Sequence, residues 1–358
     1  MTEQSASRIT VERKEGAEKR EENSASSAMT ISPAGAVVAD RTLEIDLRDY
    51  IVREMLIAFG RAPDGVALWV LGPLLRIPAS RFARLIAHTD AIIGQSTMSA
   101  GSQWLLSQLV TGVTVRGAEA IPMTGPLIVV SNHPGAYDSV AILASLPPRT
   151  DQMIVASDVP FLRRLPAIGA HTIYVSPDPH ARMGVIRAMI RHLETGGALM
   201  TFGSGLVDPD PDLLPGATEA LETWYDSLAV VLRRVPETRL VLSIVSSVVA
   251  PQYMRSPLTR LKQDGWERRK LAEFLQIGAQ LLLSKKAPLT PRVSFSEPIT
   301  AADLPAEPGQ PITMRPIIEM AKALLAEHMN HGHCEGGGPK QSPPHVTDCF
   351  VGLRPSSQ

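Results

Sequence analysis

The spacing of apolar residues along the chain changes near residue 115, and each spacing predicts a different kind of element. From about residue 44 to residue 114, apolar side chains recur every three or four positions, which is the period of an amphipathic helix. The clearest examples are Leu47, Tyr50, Ile51, Met55, Leu56, Phe59, Phe82, Leu85, Ile86, Trp104, Leu105 and Leu109. Residues 44–114 are therefore predicted to form a helical segment that precedes the main domain.

After residue 115, short runs rich in β-branched residues alternate with amphipathic helical stretches. The predicted strands cover 127–130, 153–156, 172–175, 198–202, 240–245 and 293–295. The predicted helices cover 137–146, 179–194, 217–234 and 266–283. This alternation predicts an α/β domain over residues 115–330, in which helices flank a mostly buried mixed sheet.

The two ends of the chain differ from the middle in composition. Residues 1–43 contain few large apolar side chains, and residues 331–358 are interrupted by glycine and proline. Such segments bury too little apolar surface to offset the loss of chain entropy, so both tails are predicted to be disordered. The first residues also lack the apolar core of a secretory signal, so we expect an intracellular protein.

The apolar stretch 65–75 bears on membrane contact. It is about half of the ~20 residues that a spanning helix needs, so no transmembrane segment is predicted. Arg76, Arg81 and Arg84 follow it and indicate a surface that can rest on anionic lipid. A helix packed on the main domain, with its arginines in solvent, explains the same pattern. Both interpretations stay open.

Composition narrows the choice of partner. Of the 358 residues, 44% are hydrophobic and 20% are charged, and the net charge of −1 gives no basic field for nucleic acid. The two cysteines, Cys334 and Cys349, both lie in the C-terminal tail, so no disulfide framework holds the fold. These features predict a cytoplasmic protein that does not bind nucleic acid.

A histidine and an aspartate, His133 and Asp138, follow the predicted strand 127–130. Pro134 and Gly135 break the strand, so His133 lies in a loop at its carboxyl end, where open α/β sheets place their binding sites. A carboxylate bonded to one imidazole nitrogen leaves the other nitrogen to take a proton from a hydroxyl. A structural role fits the same pair, with His133 bracing the turn and Asp138 capping the helix.

The segment Asn132–Asp138 resembles the His-x4-Asp signature of the glycerolipid acyltransferases, a family typified by 1-acyl-glycerol-3-phosphate acyltransferases. Segments similar to the family's other blocks follow in the family's order, so the resemblance covers about residues 115–300. They are residues 167–175, 197–206, 241–251 and 292–299. The resemblance implies an acyltransferase in which His133 is the general base and Asp138 orients it.

Two of these blocks depart from the family pattern where substrate is bound. Ser176 and Pro177 stand where the family has Asp-Arg, and Arg182 is the nearest substitute, unless it is an ordinary solvated arginine. Gly203 and Ser204 replace the Pro-Glu of a loop that in the family helps to hold the acceptor's phosphate. The resemblance therefore assigns substrate binding to Arg182, Gly203, Ser204 and Gly205.

Three carboxylates, Asp208, Asp210 and Asp212, alternate with prolines after this loop. If they faced the binding site they would repel an anionic headgroup, which would favour an uncharged or cationic lipid acceptor. The preferred interpretation is a solvated proline-rich loop that never meets substrate. A metal site is not expected there, because the alternating prolines restrict convergence of the carboxylates.

Two further groups of residues suggest other chemistry. His328, His331, His333 and Cys334 are candidate metal ligands, but their spacing fits no closed site, and a polar helix end is preferred. Ser204 lies between glycines, yet Phe202 and Leu206 occupy the glycine positions of a hydrolase nucleophile elbow. The sequence therefore predicts neither a metal site nor a serine hydrolase.

Together, these observations predict an enzyme that moves a fatty acyl group to a hydroxyl of a lysophospholipid or related lipid. The donor is acyl-CoA or acyl carrier protein, no acyl-enzyme forms, and no metal or redox cofactor is implied. The expected partners are this donor, the lipid acceptor and the cytoplasmic face of the cell membrane. Two alternatives stay open: a lipid-binding relative that has lost turnover, and a thioesterase that uses water at the same dyad.

Overall fold

The structure, a computed structural model, describes residues 40–58, 65–135, 137–176, 178, 181–261, 265–283, 285–305 and 311–336. Nearly all of the predicted tails, 1–43 and 331–358, lies outside these residues, as do Phe59 and Pro177. The described part begins just before a helix at Arg41 and ends in a helix that extends to Gly336, past the predicted domain boundary at residue 330. The prediction that the two tails are disordered therefore stays a prediction.

In the described residues, helices surround one sheet of seven strands. The strands are β1 Thr114–Arg116, β2 Leu127–Ser131, β3 Gln152–Ser157, β4 Thr172–Val175, β5 Ala198–Phe202, β6 Arg239–Ser246 and β7 Arg292–Phe295. The helices are α1 Arg41–Ala58, α2 Gly65–Gln95, α3 Met98–Leu109, α4 Asp138–Ser145, α5 Pro160–Arg163, α6 Pro166–Ala170, α7 Arg182–Glu194, α8 Ala217–Leu221, α9 Ser227–Arg234, α10 Pro251–Met254, α11 Gly265–Leu283 and α12 Met314–Gly336.

The strand order is β1-β7-β6-β2-β5-β3-β4, and every neighbouring pair is parallel except β6 and β7. The predicted α/β architecture, with a mixed sheet and a helical segment before it, is confirmed. Strand β2 lies at the centre between β5 and β6, and all five of its residues are buried. Its carboxyl end therefore opens at the middle of the sheet.

The two faces of the sheet are covered by different helices. Because side chains alternate along a strand, Val129 joins a core that includes Leu105 of α3 and Ile142 of α4. Its neighbour Ile128 faces the other way and joins a core that includes Val231 of α9. Burial on both faces explains why the strands are almost continuously apolar.

The N-terminal segment is helical, as the apolar spacing predicts, and its helices α1 and α2 pack against each other. Arg81 of α2 donates hydrogen bonds to the carbonyl oxygens of Leu281 (2.5 Å) and Leu282 (2.6 Å) at the end of α11. Its guanidinium therefore binds carbonyl oxygens at the end of a helix. Neither of the roles considered for this arginine, contact with lipid or exposure to solvent, describes it. Within the described residues, no helix is both long enough and apolar enough to cross a membrane.

The predicted single helix 217–234 is wrong, because the chain forms two helices, α8 and α9. Between them Trp224 is 4% exposed and lies directly on Gly203, the residue that follows β5. The N–H of Tyr225 donates to the carbonyl oxygen of Gly203 at 2.9 Å. Burial of the indole and this backbone bond take the segment out of the helical path.

Candidate active site

The loop that follows β2 is fixed to the neighbouring strand β6 by its first residues. The side chain of Asn132 donates to the carbonyl oxygen of Val245 at 2.9 Å and accepts from the N–H of Val245 at 2.8 Å. The hydroxyl of Ser131 donates to the carbonyl oxygen of Ser243 at 3.0 Å. These bonds continue the strand pairing through side chains and fix the point at which the chain turns towards His133.

His133 and Asp138 contact each other as the sequence spacing predicts. Nδ1 of His133 lies 2.6 Å from Oδ2 of Asp138, the first residue of α4. The carboxylate is buried and also accepts the N–H groups of Gly135 (2.8 Å) and Ser139 (2.5 Å). Three donors therefore hold Asp138 in one orientation, and its bond to Nδ1 orients the imidazole.

The His133 ring is half-buried and stacks on Phe202 at the end of β5, with centroids 4.0 Å apart and an interplanar angle of 16°. Burial by itself would lower the pKa of His133. The hydrogen bond and charge of Asp138, together with the charge of Asp208, more than offset burial, so the pKa of His133 is raised. The second ring nitrogen, Nε2, has no hydrogen-bond partner among the described residues.

Behind the imidazole, Asp208 holds the main chain of His133. Oδ2 of Asp208 accepts the N–H of His133 at 2.8 Å, and the N–H of Asp208 donates to the carbonyl oxygen of His133 at 2.8 Å. Oδ1 accepts the hydroxyl of Ser204 at 2.8 Å. Asp208 is 4% exposed and Ser204 is 1% exposed, so this is a buried network.

Helix α11 completes the support from another direction. Arg269, which is buried, donates to the carbonyl oxygens of Pro134 and Asp208 and pairs with Glu273 at 3.1 Å. A Cβ on Gly135 would lie 2.2 Å from the Glu273 carboxylate, and the φ of Gly135 is +142°. Glycine is therefore the residue that this turn accommodates.

A cavity of about 740 Å³ opens beside the dyad, at the carboxyl ends of β2, β3, β4 and β5. His133, Arg182, Gly203 and Gly205 line it, so four of the predicted site residues come together in one place. Asp158 and Asp226 also line it, as do apolar residues of β3, β4 and α7. Ser204 does not line the cavity, because its hydroxyl is turned inward to Asp208.

The interpretation of Asp208, Asp210 and Asp212 as a solvated loop is wrong. Asp210 is 1% exposed, and its carboxylate accepts the N–H groups of Ser247 and Val248, at 3.1 and 3.0 Å. Asp212 accepts the hydroxyls of Ser246 and Ser247 and pairs with Arg292. The carboxylates bind protein groups and do not line the cavity, so they give no reason for repulsion of a substrate headgroup.

The interpretation of His328 as part of a polar helix end is also wrong. The ring is 2% exposed, and its nitrogens lie 2.8 Å from the Ser246 hydroxyl and 2.7 Å from the Ser294 hydroxyl. Burial lowers the pKa of His328 to about 4, so the ring is neutral near pH 7.

The other candidate metal ligands do not join His328. His331 is exposed, and the side chains of His333 and Cys334 lie outside the described residues. The described residues form no group of three or more His, Cys, Asp or Glu that could hold a metal ion.

Sequence reasoning missed the contribution of four residues to this site. Arg269 and Glu273 have the four-residue spacing of an ordinary surface ion pair on a helix, so nothing in the sequence marks them as buried. Asp208 lies in a proline-rich run that is typical of solvated turns. The aromatic ring of Phe202 matches the family block, but the sequence does not show that it stacks on His133.

The fold and the site define an α/β protein with a His–Asp pair, its aspartate buried, at the edge of an open cavity. Residues 112–236 match the family model described as Acyltransferase, so the acyltransferase domain predicted from the motifs is confirmed for this part of the chain.

The crystal structure of the 1-acyl-sn-glycerophosphate (LPA) acyltransferase PlsC from Thermotoga maritima is similar to this chain at 13% identity and a TM-score of 0.39. The match covers 80% of this chain and 97% of that one. No curated protein sequence matches this chain significantly.

Proposed function

We propose that this protein transfers a fatty acyl group from a thioester, carried on coenzyme A or acyl carrier protein, to a hydroxyl of a lysophospholipid or related lipid. The observation that carries the proposal is the His133–Asp138 pair, 2.6 Å apart, at the edge of a cavity of about 740 Å³ within an acyltransferase domain. In this proposal no metal or redox cofactor takes part.

His133 is the proposed general base. Asp138 accepts a hydrogen bond from Nδ1–H and stabilises the imidazolium, which forms when Nε2 takes the proton of the acceptor hydroxyl as its oxygen attacks the thioester carbonyl carbon. The tetrahedral intermediate then expels the thiolate as the C–S bond breaks, and the imidazolium returns the proton to sulfur. Ser204 takes no part as a nucleophile, because its hydroxyl is buried against Asp208. The acyl group therefore moves directly from donor to acceptor.

The loop after β5 is the proposed site of oxyanion or phosphate binding. Gly205 has a φ of +62°, lines the cavity, and its N–H donates to no acceptor among the described residues. Gly203 brings the main chain against the cavity at the same point. A backbone N–H fixed in this way can stabilise the charge that develops on the carbonyl oxygen.

The charges of the cavity favour an acceptor without an anionic phosphate monoester. Apart from His133, Arg182 is the one basic side chain among the described residues that line it, whereas Asp158 and Asp226 are acidic. The carboxylate of Asp158 is already paired with Arg163 at 2.6 Å. We assign Arg182, at the start of α7, to a phosphate of the donor. The rest of the cavity is then left for the acceptor, whose headgroup we expect to be uncharged or cationic.

Product analysis by mass spectrometry tests the reaction. The full chain is incubated with acyl-CoA or acyl carrier protein thioester and a panel of acceptors that includes lysophosphatidate, a zwitterionic lysolipid and a monoacylglycerol. We expect an acylated lipid, formed faster from the acceptors without a phosphate monoester. Free fatty acid alone would identify a thioesterase, and lipid binding without either product would identify a relative that has lost turnover. Equal turnover of lysophosphatidate and all other acceptors would contradict the proposed preference.

We also propose that the protein contacts the membrane through an apolar ridge. We define this ridge as the exposed side chains Trp69, Val70, Leu74, Ile77, Leu282 and Leu283. Arg81 joins its two halves by bonding α2 to the end of α11, and Arg76, Lys285 and Lys286 are exposed next to it in sequence. Apolar side chains flanked by cations fit the interface of an anionic bilayer.

Replacing Trp69, which is 80% exposed, with serine is expected to weaken binding to phosphatidylglycerol-containing vesicles about tenfold, because the indole no longer enters the interface. Vesicle co-sedimentation measures the partition. The control is Met123→Ser, which removes an exposed apolar side chain outside the ridge and should leave binding unchanged. Equal binding by Trp69→Ser and the wild type would rule out the ridge as the contact surface.

A further inference from the structure

The main chain of His133 is held by a carboxylate that the family motif does not supply. Two hydrogen bonds of 2.8 Å join Asp208 to the main chain of His133. The carboxylate of Asp208 accepts the N–H of His133, and the N–H of Asp208 donates to the carbonyl oxygen of His133. The carboxylate is oriented by the hydroxyl of Ser204. A single residue from another loop therefore binds both the N–H and the carbonyl oxygen of His133.

The loop that carries Asp208 is itself anchored along its length. Asp210 caps the N–H groups of Ser247 and Val248, and Asp212 pairs with Arg292 at 2.7 Å. Arg269 of α11 bonds the carbonyl oxygen of Asp208. These contacts fix Asp208 relative to β6, β7 and α11. Because Asp208 binds the main chain of His133, they also fix the position of His133.

The residues around Asp208 fit this arrangement and not the Pro-Glu of the family. A Cβ on Gly203 would lie 2.1 Å from the indole of Trp224, which leaves no space for a proline. Ser204 is buried and places a hydroxyl, in place of a longer acidic side chain, against Asp208. The carboxylate that is absent at position 204 is thus present four residues later, on Asp208.

We propose that Asp208, oriented by Ser204, is a positioning residue for His133 that fixes its main chain and places a second negative charge beside the His133–Asp138 pair. This inference rests on the proposed role of His133 as the base. Asp208 acts through His133 and touches no substrate, since it does not line the cavity.

Among the described residues, the charged groups that face His133 come from three parts of the fold. They are Asp138 on α4, Asp208 after β5, and Arg269 and Glu273 on α11. Asp138 and Asp208 raise the pKa of His133, and Arg269 lowers it. The cavity wall adds Arg182, Asp158 and Asp226. Removing the Asp208 charge alone should therefore lower the pKa of the ring while Asp138 still orients it.

The experiment compares Asp208→Asn with Asp151→Asn in the full chain. The first variant keeps an oxygen for the His133 N–H and removes the charge. The second removes a carboxylate charge just before β3, at the opposite end of the parallel strands from His133, where the carboxylate pairs with Arg149. The measurements are kcat/KM against pH and the titration of the His133 ring by NMR. We expect Asp208→Asn to shift both midpoints to lower pH and Asp151→Asn to leave them in place.

A second variant, Asp208→Ala, is expected to lower kcat about 10²-fold with little change in the acceptor KM, because a misplaced base slows the chemical step and not binding. If Asp208→Ala does not fold, the comparison of the two asparagine variants still tests the proposal. Wild-type midpoints in Asp208→Asn, or the same shift in Asp151→Asn, would overturn the proposal. The NMR titration needs no turnover, so it stays informative even if His133 proves not to be the base.

Discussion

Replacing His133 with alanine is expected to lower kcat by about 10²–10⁴-fold, because the acceptor hydroxyl then loses its general base. Binding of the lipid should change far less, since the apolar walls of the cavity on β3, β4 and α7 stay intact. The measurement is the formation of acylated lipid by mass spectrometry, combined with equilibrium binding of the acceptor. Loss of product with retained binding would assign the chemistry to the imidazole.

The matched control is His331→Ala, which removes an exposed imidazole outside this cavity and should leave kcat unchanged. Thermal unfolding of both variants must be compared, because His133 also stacks on Phe202 and its loss removes that contact. Wild-type turnover by a folded His133→Ala protein would contradict the proposed function.

Restoring the proline of the family motif through Gly203→Pro is expected to destabilise the protein by about 2–4 kcal/mol. The ring would occupy space taken by Trp224, since even a Cβ on Gly203 would lie 2.1 Å from the indole. Proline also lacks the N–H that Gly203 donates to the carbonyl oxygen of Ser131 at 2.9 Å. A change towards the family sequence is therefore predicted to lower the stability of this protein. The measurement is the free energy of unfolding in denaturant.

The control is Gly184→Ala, in the exposed part of α7, where an added Cβ meets nothing within 4 Å. Alanine there should stabilise the helix by about 0.5–1 kcal/mol, because it reduces the entropy of the unfolded chain. If Gly203→Pro were as stable as the wild type, Trp224 would not restrict this position.

The sequence allowed the fold and the dyad to be predicted because both depend on local signals. The apolar strands of the sheet and the turn at Pro134 and Gly135 are readable from neighbouring residues, and the five-residue spacing of His133 and Asp138 brings them together within one loop.

The supporting contacts could not be predicted, because they depend on pairings distant in sequence. The alternating aspartates after β5 have the composition of a solvated turn, and their burial depends on N–H groups of residues 247–248 and on Arg292. Arg269 is separated from Pro134 by more than 130 positions, and helical spacing alone gives its partner as Glu273. His328 was assigned to a helix end because the serines that bury it come from β6 and β7.

The central place of β2 in the sheet restricts how this protein can be shortened. The segment that matches the acyltransferase family ends at residue 236, before β6 begins at Arg239. A fragment cut there would turn β2 from an inner strand into a bare edge and would leave the amide of Asn132 without its two partners on Val245. The minimal unit for expression or for grafting the site into another scaffold must therefore include β6. It must also include β7, which pairs with β1 and carries the Arg292 that binds Asp212.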